Sequence, residues 1–183
     1  MKKNIILGFL IALSTNVFGQ IFTTKTGQIN FDASGGLETI AAVNNAADAK
    51  FQKTSGDLAI AVLTTGFVFE NSLMNDHFQE NYIESSKYPK ALFKGKISNL
   101  AEINFSKPGT YNVTINGTLN LHGQTKNISA NGSIEITNDH SFAMKGTFPI
   151  KLADYKIGGK YIGDKIAEKV QISVLINFKD TQN

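Results

Sequence analysis

The sequence contains no cysteine, no tryptophan and no arginine. Without cysteine there is no disulfide, no thiol nucleophile and no zinc–thiolate site, so packing and hydrogen bonds must hold the fold. Without arginine, all 18 basic residues are lysines, and the planar two-pronged contacts a guanidinium makes with guanine or phosphate are not available. The lysines form no continuous stripe and no polybasic segment, which argues against nucleic acid as a partner and against adsorption to an anionic membrane. No G-x-S-x-G nucleophile elbow occurs. The three histidines, His77, His122 and His140, show neither H-x-H nor H-x-x-x-H spacing. Nothing in the spacing therefore indicates a metal site or haem ligation, although a barrel could bring His77 and His122 to one mouth.

Long apolar runs are also lacking, and the longest is informative. In "MKKNIILGFLIALSTNVFGQ" two lysines precede an apolar run from Ile5 to Leu13, and small residues follow. That is the layout of a secretory signal peptide, with a run too short to span a bilayer comfortably. Val17 and Gly19 suit the −3 and −1 positions, so cleavage is expected before Gln20. A lipoprotein anchor would need a cysteine to acylate. Removing Lys2 and Lys3 lowers the formal charge from +3 to +1. Residues 20–183 have the size of one domain with a substantial core. A periplasmic or secreted protein with no stable membrane anchor after cleavage is the expectation.

What is present is alternation. In "VQISVLINF", Val170, Ile172, Val174, Ile176 and Phe178 share one face of a strand, and Gln171, Ser173 and Asn177 the other. "YNVTINGTLNL" repeats the pattern, with Val113, Ile115, Leu119 and Leu121 opposite a row of Asn and Thr. Gly117 falls on the apolar face, where it predicts a bulge, a bend or the close approach of a ligand. Weaker versions run through "GQINF", "GDLAIAVLTTGFVF", "ALFKGKI", "NISANGSIEI" and "SFAMKGTFPIKL". Turn residues punctuate them at "KPGT" (107–110), "LHGQTK" (121–126) and "TNDHS" (137–141). Five Asn-x-Ser/Thr triplets fit outward polar positions on such strands and turns. Short loops after residue 90 favour an antiparallel meander, and about eight strands apolar on one face indicate an all-β barrel or sandwich.

Two segments break the pattern. "GGLETIAAVNNAADAKF" (35–51) is alanine-rich and reads as a short helix or an irregular wrap. Residues 76–85 read as a second short helix, capped by Asp76, with Phe78 and Tyr82 on one face. Pro89 then forces Tyr88 into an extended conformation and ends it. The adjacent pair Asp76–His77 resembles a catalytic dyad, but neighbouring side chains on a regular element point apart. Helix capping and a buried or rim hydrogen bond explain the two residues without catalysis.

The aromatic residues leave two readings open. Phe67, Phe69, Phe78, Phe93, Phe142 and Phe148, with Leu73, Met74 and Leu119, either fill a barrel with its own side chains or line a ligand cavity. The first gives a structural or interaction barrel and the second a binding protein.

The order "SGDLAIAV" (55–62), "FVFENSLMNDHFQENYIESSKYPKALFKGKI" (67–97), "YNVTINGTLNLHGQTKNI" (111–128), "FPIKLADYKI" (148–157) and "GDKIAEKVQISVLINF" (163–178) resembles the YceI-like family over roughly residues 28–178. The resemblance implies an exported, lipocalin-like antiparallel barrel of about eight strands with one or two short helices. It also implies a long apolar cavity holding an amphiphile such as a polyisoprenoid or isoprenoid quinone, with no catalysis and no cofactor. The ligand-binding set it suggests is Phe67, Phe69, Leu73, Met74, His77, Phe78, Phe93, Leu119, His122, Phe142 and Phe148. The head group would sit near 73–78 and 121–126, where Asn75, His122 and Lys126 could meet it. Asp154 and Tyr155 could do the same, and all three of Lys126, Asp154 and Tyr155 also read as plain, solvent-exposed turn residues. Two departures from the family pattern stand out. Asn75 occupies the position where many members carry arginine, and "FTTKTGQINF" replaces the usual aromatic-led opening strand. A second copy of the chain is an admissible partner.

Overall fold

Period-two alternation becomes nine strands in the computed structural model, which describes residues 20–35, 39–138 and 140–179. The expected signal peptide lies outside the described residues. The strands are β1 (Ile21–Ser34), β2 (Ala41–Gln52), β3 (Asp57–Leu63), β4 (Val68–Phe69), β5 (Lys90–Ile97), β6 (Gly109–Leu121), β7 (Gln124–Asn138), β8 (Ser141–Lys151) and β9 (Ile166–Lys179). All neighbours are antiparallel, and β1 pairs with both β2 and β9, so the sheet closes on itself as an eight-stranded barrel. β4 is the extra strand. β3 pairs with the second half of β2, from Asp48 to Phe51, and β4 takes over at Ala42 and Val43. The buried Asn44 joins the two halves, donating its side-chain N–H to the Leu63 carbonyl at 3.0 Å.

The two barrel ends differ because their connections differ. At one end the loop between β5 and β6 brings Leu100, Ile103 and Phe105 against the core. There Phe22, Phe51, Phe105, Phe142 and Phe178 form a cluster of aromatic rings, with centroids 4.9 Å apart for Phe22–Phe142 and 6.0 Å for Phe51–Phe178. This aromatic plug seals that end. The opposite end carries the long connections 64–89 and 152–165.

Three local expectations are corrected. The alanine-rich segment is neither helix nor irregular wrap over 41–51, since β2 occupies it. Its inward residues are Ala42, Asn44, Ala47, Ala49 and Phe51, and the step of three between Asn44 and Ala47 coincides with the register shift opposite Gly27 and Ile29. The irregularity hides the alternation, and pairing on both sides overrides alanine's helical preference. Alanine suits the position sterically: a Cβ on Gly27 would already lie 3.2 Å from that of Ala47.

The short helix α1 (Ser72–His77) begins four residues before Asp76. Its cap is Asn71, whose side-chain oxygen accepts from the Leu73 N–H at 2.8 Å, satisfying one of the donors a helix start leaves bare. Asp76 lies inside the helix. A single wider π turn, Phe78–Tyr82, continues it and closes with the Ile83 N–H donating to the Phe78 carbonyl at 2.9 Å.

Gly117 does not bulge the strand and is not part of the cavity lining. It pairs in register with Gly95, and the Phe93 ring covers both: its Cζ lies 2.8 Å from a Cβ built on Gly117 and 2.5 Å from one built on Gly95.

Candidate functional site

Accessibility along the inward-facing rows shows where the barrel is filled and where it is not. On β9, Ile172 and Val174 are only half-buried although they point inward, whereas the next two inward residues, Ile176 and Phe178, are 0% and 1% exposed. The adjacent row on β8 behaves alike. Phe142 and Met144 are buried, and Gly146 and Phe148 are partly accessible. The accessible portions face a cavity of about 480 Å³ above the aromatic plug, within the size range of small-molecule sites. Ile60, Phe93, Ile115, Leu119 and Ala130 continue its wall round the barrel. It reaches the surface between α1 and the 152–165 connection, where Leu73 is 60% and Tyr161 39% exposed.

The lid over one side of this mouth is pinned by aromatic contacts. Phe78 lies 5.3 Å from Phe31, 5.9 Å from Phe67 and 5.2 Å from Phe69, ring centre to ring centre. Such offset and edge contacts add to the area they bury. Met74 packs against the same cluster.

Nine of the eleven residues singled out from the sequence line the cavity: Phe67, Phe69, Leu73, Met74, His77, Phe78, Phe93, Leu119 and Phe148. The other two do not. Phe142 is part of the plug, one inward position below the Met144 floor. His122 is a turn residue, yet it is 7% exposed, and it is not part of the cavity lining. Its Nδ1 lies 2.9 Å from the Tyr155 carbonyl oxygen and its Nε2 2.8 Å from Glu84 Oε2. A carbonyl can only accept, so Nδ1 is the donor in that contact. Both rings being close, Tyr88 packs on His122 with centroids 4.2 Å apart. His122 is therefore a tie between the β6–β7 turn, the loop after the lid and the 152–155 turn. Glu84, His122 and Lys156 all adopt left-handed backbone conformations, with φ of 46°, 49° and 56°, which the tie holds in place.

Of the segments expected near a head group, 73–78 contributes Leu73, Met74, His77 and Phe78, while 121–126 contributes Leu121 alone. Asn75 and Lys126 do not line the cavity. The polar side chains that do are Thr64, Asn71, His77, Tyr82, Tyr161 and Lys165. Thr64 is already committed, donating its hydroxyl proton to the Tyr88 carbonyl at 2.9 Å. Burial, and secondarily the neighbouring Tyr161, push the Tyr82 phenol above its ordinary pKa, so it stands at the mouth as a protonated donor. Lys165 Nζ lies 5.6 Å from the Tyr161 ring, near enough for a cation–π contact. Lys165, Tyr161 and Phe31 were not singled out from sequence. Phe31 could have been found from its alternation with Ile29, whereas the 152–165 connection carries no periodic signal.

Among the described residues that line the cavity, no nucleophile stands beside a base. Asp76 and His77 are both exposed on successive positions of α1. Among the described residues no group of three or more His, Cys, Asp or Glu could hold a metal ion, and no helix is long and apolar enough to cross a membrane.

The family model of the YceI-like domain matches residues 10–178. The chain belongs to the YceI-like family. No match is found among curated proteins. Solved structures share the fold at low identity. A polyisoprenoid binding domain from Saccharophagus degradans, implicated in plant cell wall breakdown, is 14% identical with a TM-score of 0.76, over 88% of this chain and 99% of that one. BcnA of Burkholderia cenocepacia is 17% identical with a TM-score of 0.67, over 82% and 95% of the two chains. The YceI protein of Campylobacter jejuni is 17% identical with a TM-score of 0.57, over 75% and 81%. In this YceI-like chain the shared barrel is the frame for the cavity described above.

Proposed function

We propose that this YceI-like protein is an exported carrier that holds an amphiphilic apolar ligand, a polyisoprenoid or isoprenoid quinone, inside its barrel. The observation that carries the reading is the break in accessibility along the inward rows: below Val174 the barrel is packed, and above it an apolar cavity opens to one mouth. A self-filled barrel would leave Phe148, Ile172 and Val174 as buried as Ile176. The driving force is burial of the ligand's methylenes and methyls, worth roughly 0.8 kcal/mol for each carbon. Such a wall needs no charge. The polar end would lie at the mouth among His77, Tyr82, Tyr161 and Lys165, which supply donors and one fixed positive charge. No covalent step is involved. The charged, apolar and small residues of segment 1–19 support export to the periplasm or beyond, and the polyisoprenoid binding domain of Saccharophagus degradans supports the ligand class.

Native mass spectrometry of freshly purified protein, followed by solvent extraction of what it holds, tests this. A co-purified isoprenoid, or stoichiometric uptake of an added prenyl alcohol or quinone, is expected. Protein that emerges empty and takes up none of these overturns the proposal.

A further inference from the structure

We propose that Gly146 sets how deep an apolar tail can reach, and so which chain lengths the barrel accepts. The inference rests on the function proposed above and names the residue that would give that site its length selectivity. The inward row of β8 runs from Phe142 in the plug through Met144, Gly146 and Phe148 to Ile150. In register beside it on β9 are Phe178, Ile176, Val174, Ile172 and Val170. Both rows become accessible at the same level, the Gly146–Val174 pair, so Met144 forms the floor on this side, with Ile176 packed beside it. Gly146 is the first inward position above that floor, and it brings no side chain.

Backbone packing does not explain that glycine. A Cβ built there meets a single atom within 4 Å, the Asn131 carbonyl oxygen at 3.9 Å, and the residue's φ is not in the left-handed region. Other inward glycines are different. A Cβ on Gly132, paired with Gly146 across β7 and β8, would run into the Lys145 carbonyl oxygen. One on Gly27 would lie 2.5 Å from Ile176 Cδ1, and Gly95 and Gly117 lie under the Phe93 ring. Those glycines let chains approach. At Gly146 the space a side chain would take belongs to the cavity, directly where the end of a tail would rest.

The test measures binding of geraniol, farnesol and geranylgeraniol, which lengthen by one isoprene unit at a time, to the wild-type protein, Gly146→Leu, Gly146→Ala and Met144→Ala. Gly146→Leu should weaken the longest alcohol that the wild type takes by roughly tenfold or more, the loss expected when even two methylenes leave the apolar site. The shortest alcohol should bind nearly unchanged. Gly146→Ala, the smaller addition, should shift the series in the same direction, and it keeps the test decisive if the leucine variant folds poorly by circular dichroism. Met144→Ala lowers the floor and should move the preference toward longer chains. An unchanged length profile in the Gly146 variants, or an equal loss at all lengths, overturns the ruler. Wild-type protein that binds none of the three alcohols overturns instead the carrier function, and the ruler with it.

Discussion

Tyr155 is a large side chain, 1% exposed, whose hydroxyl finds no hydrogen-bond partner among the described residues. Its place follows from its neighbours. It ends the 152–155 turn, its carbonyl is held by His122, and its ring is packed among Ile83, Leu119, Leu152 and Ile157. Burial, with Asp154 adding a smaller push, raises the phenol to about 12. In an unfolded chain a tyrosine ionises near pH 10. Below about pH 10 both states keep the proton and the residue's contribution is complete. Between about pH 10 and 12 the unfolded state releases it and the folded state does not, so stability falls with rising pH. Tyr155→Phe removes both the titrating group and an unpaired buried donor, whose desolvation costs about 1–3 kcal/mol. The variant should be at least as stable as the wild type at neutral pH and lose less on alkaline titration, measured by urea unfolding from pH 7 upward. A variant that is weaker at pH 7 with an unchanged alkaline slope contradicts this account. In the sequence, "LADYKI" leaves Tyr155 open between a head-group contact and a plain turn residue, and its burial is not legible because it is decided by elements far off in the chain.

At the scale of elements, legibility tracked regularity. β6 and β9 were readable residue by residue because their inward residues keep an unbroken period of two from Val113 to Leu121 and from Val170 to Phe178. β2 was not, because its extra residue between Asn44 and Ala47 breaks the period and alanine is as much a helix former as a strand filler. The lid was readable as a helix but misplaced, since Asn71 and Asp76 are both good caps and only the fold chooses between them. That choice is testable. Asn71→Ala should cost about 1 kcal/mol locally, and because α1 is short the loss should appear as faster amide hydrogen exchange over Ser72–Tyr82, with β5–β9 unaffected. Ligand release should quicken as well, since the helix covers the mouth. Uniform loss of protection through the barrel would mean that Asn71 supports the whole fold and not the lid. The anchor against complete loss is the Phe31–Phe67–Phe69–Phe78 cluster, which the cap substitution leaves in place.

For the whole molecule, alternation told which residues face inward and left open whether they meet. Eleven phenylalanines within residues 20–183 could fill a barrel of this size, and from the sequence Phe142 and Phe148 are expected in one pocket. The structure parts them: six residues apart on β8, one lies in the plug and the other on the cavity wall. The division is set by what stands opposite. At the closed end large rings from β1, β2, β8 and β9 converge with Phe105 from a loop, whereas higher up the inward positions include Ala33, Ala42, Ala47, Ala91, Ala130 and Gly146. Small residues spread over several strands cannot be recognised as one open region of the interior without the register. The two ends should therefore respond differently to the same chemical change. Phe51→Ala, in the plug at 0% exposure, should cost about 3–5 kcal/mol, the usual range for emptying a packed aromatic site. Phe148→Ala enlarges a space that already exists and leaves fewer contacts unmade, so it should cost clearly less while weakening prenyl uptake. Urea unfolding of the two variants in lipid-free form, with uptake measured in parallel, compares them directly. Equal destabilisation, with no change in uptake for Phe148→Ala, would mean that the barrel is filled by its own side chains along its whole length.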